Sequence, residues 1–490
     1  MNILLVSAAT PDTFWSFKHI LGLISKKAVF PPLGLMTVAA QLPRDWKLKL
    51  VDLNVARLTQ ADIAWADYVF LSAMIVQAES AREVAERCNA QSTPVIAGGP
   101  LFTTGHERFP EIRHFVLGEA EDLLEQLIAD IEQGTVRDFY QSDKRPDVTR
   151  TPPPRWDLIQ LKQYASMPLQ FSRGCPFNCE FCDIIIMNGR VPRMKTSSQM
   201  IREFESLIEA GWDGPIFIVD DNFIGNKVKV KAFLRDLIAW QKRRKLRFTM
   251  TTEASLNLVD DPELVGLMVQ AGFKKVFVGI ETPAEDSLLE CAKTQNTSRD
   301  LVTAVRSLHN SGLEVMGGFI IGFDSDTPTI FEQQNKFIRE SGIATAMVGL
   351  LTALPGTRLF SRLKEEGRIL SDTTGNNLDG VLNFVPKLDQ TTLLEGYRSL
   401  VKQLYTPKEY YARVLTFLRE YRPHGPEGKT SFNDFKALLK SLWTMGVKTR
   451  GRRAYWWFLT RVLIHHRNAL PEAVTLAIMG HHFRRVAATL

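Results

Sequence analysis

The feature that most limits what this chain can be is a group of three closely spaced cysteines. They lie at C-x-x-x-C-x-x-C spacing in the stretch Arg173-Gly174-Cys175-Pro176-Phe177-Asn178-Cys179-Glu180-Phe181-Cys182. The apolar run 167–172 before them predicts a strand, and Gly174 marks the turn out of it. A loop this short brings three thiolates within about 6–7 Å of each other, which suits one face of an iron–sulfur cube. One iron of a [4Fe–4S] cluster would then lack a protein thiolate and could bind a substrate or cofactor.

Two other interpretations of the cysteines remain open at this point, a zinc knuckle and a ferredoxin-type electron carrier. Structural zinc sites normally use four protein ligands. No histidine or fourth cysteine lies near the motif, because Cys88 and Cys291 are remote in the sequence. The spacing therefore favours an iron–sulfur cluster over zinc.

The motif is similar to the signature of the radical S-adenosylmethionine (SAM) enzymes, in which an aromatic residue precedes the last cysteine, as Phe181 does here. In that superfamily the open iron binds the amino and carboxylate groups of SAM. Electron injection then cleaves SAM to methionine and a 5′-deoxyadenosyl radical. The resemblance implies that Cys175, Cys179 and Cys182 hold a [4Fe–4S] cluster.

The length and composition indicate a globular protein of two or three domains, because a chain of 490 residues is too long to fold around a single hydrophobic core. Its 45% hydrophobic and 23% charged content is ordinary for such a protein. No run of about 18 apolar residues predicts a membrane span, and the N-terminus lacks the basic start of a signal peptide. Five cysteines, three of them clustered, argue for a reducing compartment, so we expect a cytoplasmic protein.

Residues 1–135 alternate short apolar runs with helical patterns, which predicts an α/β domain with a doubly wound parallel sheet. The predicted strands are Asn2–Ser7, 47–51, 68–73, 94–97 and 115–118, and the predicted helices are 33–42 and 120–132. The turns after the strands are small or polar. Because ligands of such sheets bind outside the carboxyl ends of the strands, these turns leave room for a large flat ligand.

This region resembles the cobalamin-binding domain that precedes many radical SAM domains. The resemblance depends on four short stretches, Pro31-Pro32-Leu33-Gly34-Leu35, Val51-Asp52-Leu53-Asn54, Gly98-Gly99-Pro100 and Gly118-Glu119-Ala120-Glu121. It implies that Asp52, Asn54, Gly98 and Gly99 contact cobalamin. One departure matters, since Asn54 stands where mutase-type domains carry the histidine that ligates cobalt. Any cobalamin here should therefore lack a lower histidine ligand, and a sheet that binds no cobalamin is the alternative.

Residues 136–165 form a predicted linker, because 143–154 contains four prolines and few apolar residues. Residues 166–365 repeat six strand–helix units, which predicts a partial (βα)6 barrel of the TIM type. The predicted strands are 167–172, 216–219, 248–251, 275–279, 315–321 and 346–351, and the predicted helices are 197–211, 227–243, Pro262–Ala271, 298–311, 328–341 and 358–366.

Polar residues follow several barrel strands, where functional groups project in this architecture. The resemblance implies that Asp221, after the second strand, contacts the methionyl amine of SAM. Glu281, after the fourth strand, would accept hydrogen bonds from the ribose hydroxyls, and the strand around Gly318 would lie against the adenine. For any single acidic residue the alternative is a helix cap or a solvated loop. We prefer that alternative for Asp260-Asp261-Pro262, which begins a helix.

Residues 366–490 form a third, mostly helical region that carries the basic excess of the chain. Residues 421–490 contain twelve Lys and Arg against three Asp and Glu, although the whole chain has a net charge of only +6. Aromatic and basic residues mix in 455–465, which suits an anionic membrane surface or an acidic, apolar substrate. A core-packing helix with a solvated basic face is the alternative. The pattern forms no recognised nucleic-acid-binding motif, which argues against a nucleic-acid partner, and the histidine pairs 465–466 and 481–482 lack partners at metal-ligand spacing.

The order of the three regions resembles the class B, cobalamin-dependent radical SAM methyltransferases over nearly the whole chain. The C-terminal region is similar to that of the subgroup containing hopanoid methylases and bacteriochlorophyll methylases. The resemblance implies methylation of an unactivated carbon of a lipid-like or tetrapyrrole small molecule, using a [4Fe–4S] cluster, SAM, cobalamin and a reductant such as flavodoxin or ferredoxin. No catalytic residue is assigned.

Three alternatives to this function are kept. The first is a non-methylating radical SAM enzyme of the same architecture, such as an oxidative cyclase. The second is an iron–sulfur scaffold or electron carrier. The third, a methylthiotransferase acting on tRNA, is disfavoured because that class carries a second three-cysteine cluster, and only Cys88 lies in the N-terminal region. The isolated Cys291 is interpreted as an inert thiol.

Overall fold

The computed structural model describes residues 1–376, 379–422 and 432–490 of the chain. It contains two parallel six-stranded sheets followed by a helical region. The α/β prediction, with its doubly wound sheet, partial barrel and helical C-terminal region, is therefore confirmed.

The first sheet has the strand order β2-β1-β3-β4-β5-β6, and every neighbouring pair is parallel. Its strands are β1 (Asn2–Ser7), β2 (Lys47–Asp52), β3 (Tyr68–Ser72), β4 (Val95–Gly98), β5 (His114–Leu117) and β6 (Phe139–Gln141). Its helices are α1 (Lys18–Leu21), α2 (Leu33–Ala39), α3 (Gln60–Trp65), α4 (Ala78–Asn89), α5 (Pro100–Thr103) and α6 (Leu124–Gln133).

Helices cover both faces of this sheet, and the interior strand β1 shows how. Leu4 and Val6 belong to one apolar core, whereas Ile3 and Leu5 belong to a second core on the opposite face. Because successive side chains point to opposite faces, a strand buried on both sides reads as a continuous apolar run. The strand β6 extends the sheet into residues 136–165, the predicted linker. It has only three residues, too few for a recognisable period-2 pattern.

The second part of the chain contains strands β7 (Met167–Leu169), β8 (Ser172–Arg173), β9 (Arg193–Met194), β10 (Ile216–Ile218), β11 (Met250–Glu253), β12 (Phe273–Glu281), β13 (Glu314–Ile321) and β14 (Ala346–Leu350). All except β8 and β9 form a parallel sheet in the order β14-β13-β12-β11-β10-β7. The helices are α7 (Ile184–Met187), α8 (Ser197–Glu209), α9 (Lys227–Arg244), α10 (Pro262–Ala271), α11 (Glu285–Glu290), α12 (Leu301–Asn310), α13 (Ile330–Ser341) and α14 (Arg358–Glu365).

The predicted first barrel strand, 167–172, is divided in the structure. β7 ends at Leu169, and Ser172–Arg173 instead pairs antiparallel with β9. The division is caused by a residue distant in sequence, because the buried Asp220 carboxylate accepts hydrogen bonds from Phe171 N at 2.7 Å and Ser172 Oγ at 2.6 Å. These bonds turn the chain out of the sheet just before the cysteines.

One expected helix start is confirmed in detail. The Asp261 side chain caps α10 by accepting a hydrogen bond from Leu264 N, and Pro262 occupies the first turn. Asp260 pairs with Arg299 instead. Neither carboxylate faces the cavity described below.

The C-terminal region contains α15 (Gln390–Leu404), α16 (Pro407–Glu420), α17 (Phe432–Trp443), a π-helical segment Thr444–Lys448, α18 (Arg452–His465) and α19 (Leu470–Ala487). It shares one apolar core with the barrel. The buried Tyr405 hydroxyl, for example, donates a hydrogen bond to Ala346 O of β14.

The last helix also positions a segment of the N-terminal region. The Phe483 ring stacks on Phe14 with 4.2 Å between ring centroids, and the buried His482 Nε2 lies 3.1 Å from Phe14 O. The aromatic turn around Phe14 is therefore held between the first sheet, the barrel and α19.

Candidate functional site

The three cysteines lie in the loop that follows β8, and a glycine sets its entry. Gly174 has φ +101°, and a Cβ atom there would lie 2.9 Å from Gly189 O, so only glycine fits. Its N–H donates to Asp221 Oδ2 at 2.7 Å, and Cys175 N donates to Gly189 O at 3.2 Å. The start of the loop is thus fixed before any cofactor binds.

Contacts at Glu180 hold the second half of the loop. Its backbone N–H donates to Cys291 O at 2.9 Å, and its carbonyl accepts from Leu359 N at 3.0 Å. Its carboxylate pairs with Arg362 at 2.8 Å. The loop is therefore anchored to the segments that follow the fourth and sixth strands of the barrel sheet.

Polar donors surround the thiols. Asn222 Nδ2 lies 3.9 Å from Cys175 Sγ, and Gln295 Nε2 lies 3.8 Å from Cys179 Sγ. The buried Lys293 ammonium, which acts electrostatically on Cys179 and Cys182, pairs with Glu281. Amide donors and a positive charge stabilise sulfur ligands that carry negative charge.

Burial of two of the cysteines favours the protonated thiol when no metal is bound. Burial raises the pKa of Cys182 to about 12 and also raises that of Cys175. Coordination to a metal deprotonates a thiol outright.

The fourth nearby cysteine is not available as a ligand. Cys291 is 1% exposed, and its thiol contacts Leu288 O at 3.6 Å within an apolar group that includes Phe323 and Leu351. Among the residues that the structure describes, no group of three His, Cys, Asp or Glu side chains could hold a single metal ion. Three thiols with amide donors and one buried cation thus fit a cluster with one open iron better than they fit zinc.

Sequence reasoning missed Lys293 and Gln295. They lie in the stretch Cys291-Ala292-Lys293-Thr294-Gln295, which contains no recognised motif. Lys293 stands between Ala292 and Thr294, a pattern that suits a surface position equally well, so the sequence carried no signal for its role. Their contact with residues 175–182 arises only in the folded chain.

The proposed SAM residues lie in three different environments. Asp221 accepts hydrogen bonds from Gly174 N and, at 2.9 Å, from Asn188 Nδ2, and burial raises its pKa. Glu281 has φ +65° and pairs with Lys293 Nζ at 2.6 Å. A Cβ on Gly318 would lie 2.7 Å from the Phe277 ring, so that ring occupies the space beside the glycine. Contacts of these three residues with SAM stay predictions.

Between the two sheets lies a cavity of about 960 Å³, at the upper end of the roughly 300–1,000 Å³ typical of ligand sites. All four residues proposed to contact cobalamin line it, namely Asp52, Asn54, Gly98 and Gly99. Asp221 also lines it, whereas the three cysteines, Glu281 and Gly318 do not. Residues Asp183 and Asn188, which closely follow the third cysteine, form part of the wall, so the cysteine loop borders the cavity.

Glycines keep the sheet side of this cavity open. Gly99 has φ +97°, and a Cβ there would lie 2.8 Å from Ser72 Oγ. A Cβ on Gly98 would lie 3.3 Å from Val116 O. The strand ends therefore form a smooth surface of small residues that a broad, flat ligand such as cobalamin fits.

The side chains of Asp52 and Asn54 form hydrogen bonds with other residues of the chain. Asp52 accepts hydrogen bonds from Tyr164 Oη at 3.0 Å and from Asn54 Nδ2 at 2.7 Å, while Asn54 Oδ1 accepts from Thr10 N at 2.9 Å. Burial raises the pKa of Asp52. No histidine occurs among the described residues lining the cavity, which fits cobalamin bound without a lower imidazole ligand.

An ion-pair network connects the two sides of the cavity. Arg173, directly before the cysteine motif, pairs with Glu119 at 2.7 Å and Glu121 at 2.6 Å, and Arg193 also pairs with Glu119. Burial disfavours ionisation of Glu121, but the hydrogen bonds and charge of Arg173 lower its pKa overall. The stretch 118–121 thus links the first sheet to the cysteine loop, a role that its sequence did not reveal.

Comparison with known families agrees with this geometry. The chain matches the B12 binding domain over residues 21–128, the radical SAM superfamily over residues 169–334 and a domain of unknown function (DUF4070) over residues 357–490. These matches define the class, a cobalamin-binding radical SAM enzyme. Enzymes of this class use a [4Fe–4S] cluster, SAM and cobalamin.

Curated relatives narrow the class to a family. An uncharacterized methyltransferase, sll1242 of Synechocystis sp., is 40% identical over 99% of this chain and 91% of its own length. The hopanoid C-2 methylase of Rhodopseudomonas palustris is 34% identical over 98% of this chain and 92% of its own length. The bacteriochlorophyllide d C-12(1)-methyltransferase of Chlorobaculum tepidum is 26% identical over 78% of this chain and 84% of its own length. The chain belongs to the cobalamin-dependent radical SAM methyltransferase family, so the scaffold alternative is wrong.

A solved structure supports the fold. The radical SAM methyltransferase TsrM of Kitasatospora setae, solved with cobalamin and a [4Fe–4S] cluster, aligns with a TM-score of 0.62 at 16% identity and covers 99% of both chains. At this identity the likeness concerns the arrangement of the domains.

Proposed function

We propose that this enzyme methylates an unactivated carbon of an apolar small molecule, either lipid-like or a tetrapyrrole. The observation that carries the proposal is the single cavity between the strand ends of the cobalamin-binding sheet and those of the radical SAM barrel. A reaction that needs both cofactors requires both domains to face one substrate. The hopanoid and bacteriochlorophyllide methylases among the relatives support the two substrate classes.

The apolar part of the cavity wall supports an apolar substrate. Trp15 packs edge-on against Phe277 with 5.1 Å between centroids, and Phe30 stacks on Phe217 at 5.0 Å. Trp15, Phe30, Phe217 and the neighbouring Phe14 and Met347 all line the cavity. Aromatic walls bury apolar ligand surface and exclude water from a site.

In this proposal the residues have separate roles. Cys175, Cys179 and Cys182 hold the cluster, Lys293 and Gln295 stabilise its sulfur ligands, and Asp221, Glu281 and the strand around Gly318 position SAM. Asp52, Asn54, Gly98 and Gly99 shape the cobalamin surface. When bound, the cofactors supply an electron for SAM cleavage and a transferable methyl group. A carbon without a lone pair cannot take a methyl group from SAM directly, which is why the chain brings both domains together.

A flavodoxin or ferredoxin is the proposed reductant, and we place the enzyme in a reducing compartment such as the cytoplasm. All five cysteines are free thiols in the structure. Among the described residues, no helix is both long and apolar enough to span a bilayer.

The function is tested anaerobically with reconstituted cluster, cobalamin, reductant and SAM carrying a deuterated methyl group. Hopanoid-type lipids and chlorin precursors are supplied separately, and products are analysed by mass spectrometry. Transfer of the deuterated methyl group to one class supports the proposal and identifies that class. Deoxyadenosine formation with substrate consumption but no methyl transfer would support the non-methylating alternative instead. Protein with Cys182 replaced by alanine is the control for cluster-independent background.

A further inference from the structure

The surface of the C-terminal region combines two properties that the proposed function does not use. Seven apolar side chains between 439 and 464 are 46–65% exposed. Single exposed apolar residues are common on protein surfaces, whereas a group of seven in one short stretch needs an explanation. The seven are Leu439, Trp443, Val447, Trp456, Trp457, Leu463 and Ile464. We call this set the aromatic face.

Helix α18 shows that the exposure has a direction. Tyr455, Phe458 and Val462 are buried in the core shared with the barrel. Trp457 and Ile464 are 47% and 65% exposed, although a helix that only packs on a core should be polar on this side. Because the outer side of α18 presents large apolar side chains among its basic ones, it resembles a surface that is covered in use.

The aromatic face continues from α18 onto α17. Trp456 Nε1 donates to Gly446 O in the π-helical segment at 2.9 Å, which joins the two parts. Cations lie against its rings, with Lys448 Nζ 5.7 Å from the Trp443 ring centroid and the Arg461 guanidinium carbon 5.4 Å from that of Trp457.

The stretch of sequence that carries the aromatic face has charged residues of one sign only. Residues 436–471 contain no Asp or Glu, and their eight basic residues are Lys436, Lys440, Lys448, Arg450, Arg452, Arg453, Arg461 and Arg467. Tryptophans with lysines and arginines are the residues that interact with the headgroup region of a bilayer. Each basic residue near an anionic membrane contributes about 1 kcal/mol of attraction.

We propose that the aromatic face docks the enzyme on the surface of an anionic lipid bilayer. Charge complementarity selects this occupant, because an apolar surface within a stretch whose charged residues are all basic fits an apolar layer covered by anionic headgroups. The protein would lie on the membrane rather than cross it. This inference is independent of the methylated substrate.

The docking surface is connected to the cavity. Lys440 Nζ on α17 donates to Gly22 O at 3.2 Å, and α17 packs against the turn Gly22–Ile24. The same N-terminal segment carries Phe14 and Trp15, which line the cavity wall. Bilayer contact would therefore occur beside the segment that forms the apolar wall.

The test uses the full-length holoenzyme in co-sedimentation with vesicles of phosphatidylcholine alone or mixed with phosphatidylglycerol. We expect binding to the anionic vesicles that weakens with salt. The charge reversals R453E and R461E should each weaken it by about fivefold or more, and the pair W457S/I464S should remove most of it. Matched controls elsewhere on the surface are K242E/R243E and V228S, where Val228 is 79% exposed. These should bind as the wild type does.

Thermal unfolding and cobalamin absorbance of each variant show whether it remains folded. Absence of binding to anionic vesicles, or equal loss in the control variants, overturns the proposal. So does a concentration-dependent increase in mass, measured by sedimentation equilibrium without lipid, that W457S/I464S abolishes. That result would assign the aromatic face to a second copy of the chain.

Discussion

The two parallel sheets present opposite chemistry at their carboxyl ends. Strands β3 and β4 of the first sheet end in small residues, Ser72, Gly98 and Gly99, which leave space, whereas β2 ends in Asp52. Three strands of the barrel sheet, β10 to β12, instead end at or beside charged residues, which are Asp220, Asp221, Glu253 and Glu281. Parallel topology places functional groups at the same end in both cases.

The difference follows from what each sheet must accommodate. A broad ligand needs an unobstructed surface, so the first sheet uses residues without long side chains. Holding a cluster and a charged cosubstrate needs fixed charges whose orientation is set before binding. The buried Glu281–Lys293 pair and the Asp221–Gly174 hydrogen bond are such fixed groups. Variants on the two sides should therefore affect different cofactors.

The largest effect is expected at the cysteines. Cys182→Ala should abolish cluster binding and SAM cleavage, because two thiolates cannot hold the cluster in place. Cobalamin retention should persist, since it depends on the other sheet. Iron and sulfide content, deoxyadenosine formation and cobalamin absorbance measure the three properties. The control is Cys291→Ala, which removes a buried thiol outside the loop and should keep the cluster. Loss of cobalamin in Cys182→Ala would show that the two sheets do not bind their cofactors independently.

The next effect concerns the buried ion pair of the barrel side. Lys293→Met leaves the Glu281 carboxylate buried without its partner, which should lower the free energy of unfolding by about 3–5 kcal/mol. The double variant Lys293→Met/Glu281→Gln should recover much of that loss. Denaturant titration of the wild type, Lys293→Met, Glu281→Gln and the double variant measures the coupling between the two residues. If the double variant is no more stable than the single one, the pair does not explain the destabilisation.

A pH dependence of stability should report on the buried carboxylates at the strand ends of the barrel side. Burial, with the charges of Asp221 and Asp220, raises the pKa of Glu253 to about 7. The folded protein therefore holds a proton that the unfolded chain has lost, and this stabilisation is lost as pH rises from the ordinary carboxylate range through about 7. Glutamine at this position cannot ionise. The gain in free energy of unfolding of Glu253→Gln over the wild type should therefore be about 1–3 kcal/mol larger at pH 8 than at pH 4.

The control for this effect is Glu263→Gln. The pKa of the Glu263 carboxylate is lowered by hydrogen bonds from Lys231 and Arg235, so its pH effect has the opposite sign. Its ion pairs stabilise the folded protein above the ordinary carboxylate pKa and are lost as pH falls. Unfolding curves recorded from pH 4 to 8 would contradict the assignment if both variants changed stability in the same direction.

The smallest effect on stability is expected on the first sheet. Gly99→Ala forces an alanine into φ +97° with its Cβ near Ser72 Oγ, which should destabilise the protein by about 1–2 kcal/mol. It should also reduce cobalamin retention while leaving SAM cleavage unchanged. Gly134→Ala is the control, because it also places an alanine at positive φ, +70°, but in the left-handed helical region and with no atom near the added Cβ. If Gly99→Ala retained as much cobalamin as Gly134→Ala, Gly99 would not be part of the cobalamin surface.

Local patterns explain why so much was predictable. Cysteine spacing, strand–helix alternation and the Asp261–Pro262 helix start depend on residues close together in the chain. The division of residues 167–172 into two strands was not predictable, because the responsible carboxylate, Asp220, lies almost fifty residues later. The three-residue strand β6 was missed for a different reason, since its pairing with β5 outweighs its weak local pattern.

By itself the sequence determined three closely spaced thiols, two α/β regions and a basic helical tail, because spacing, periodicity and charge are properties of neighbouring residues. Only the tertiary structure decided that both sheets open onto one cavity, that Lys293 and Gln295 meet the cysteine loop, and that Arg173 joins it to Glu119. These contacts join residues more than fifty positions apart, and packing and burial of the folded chain, not local pattern, bring them together.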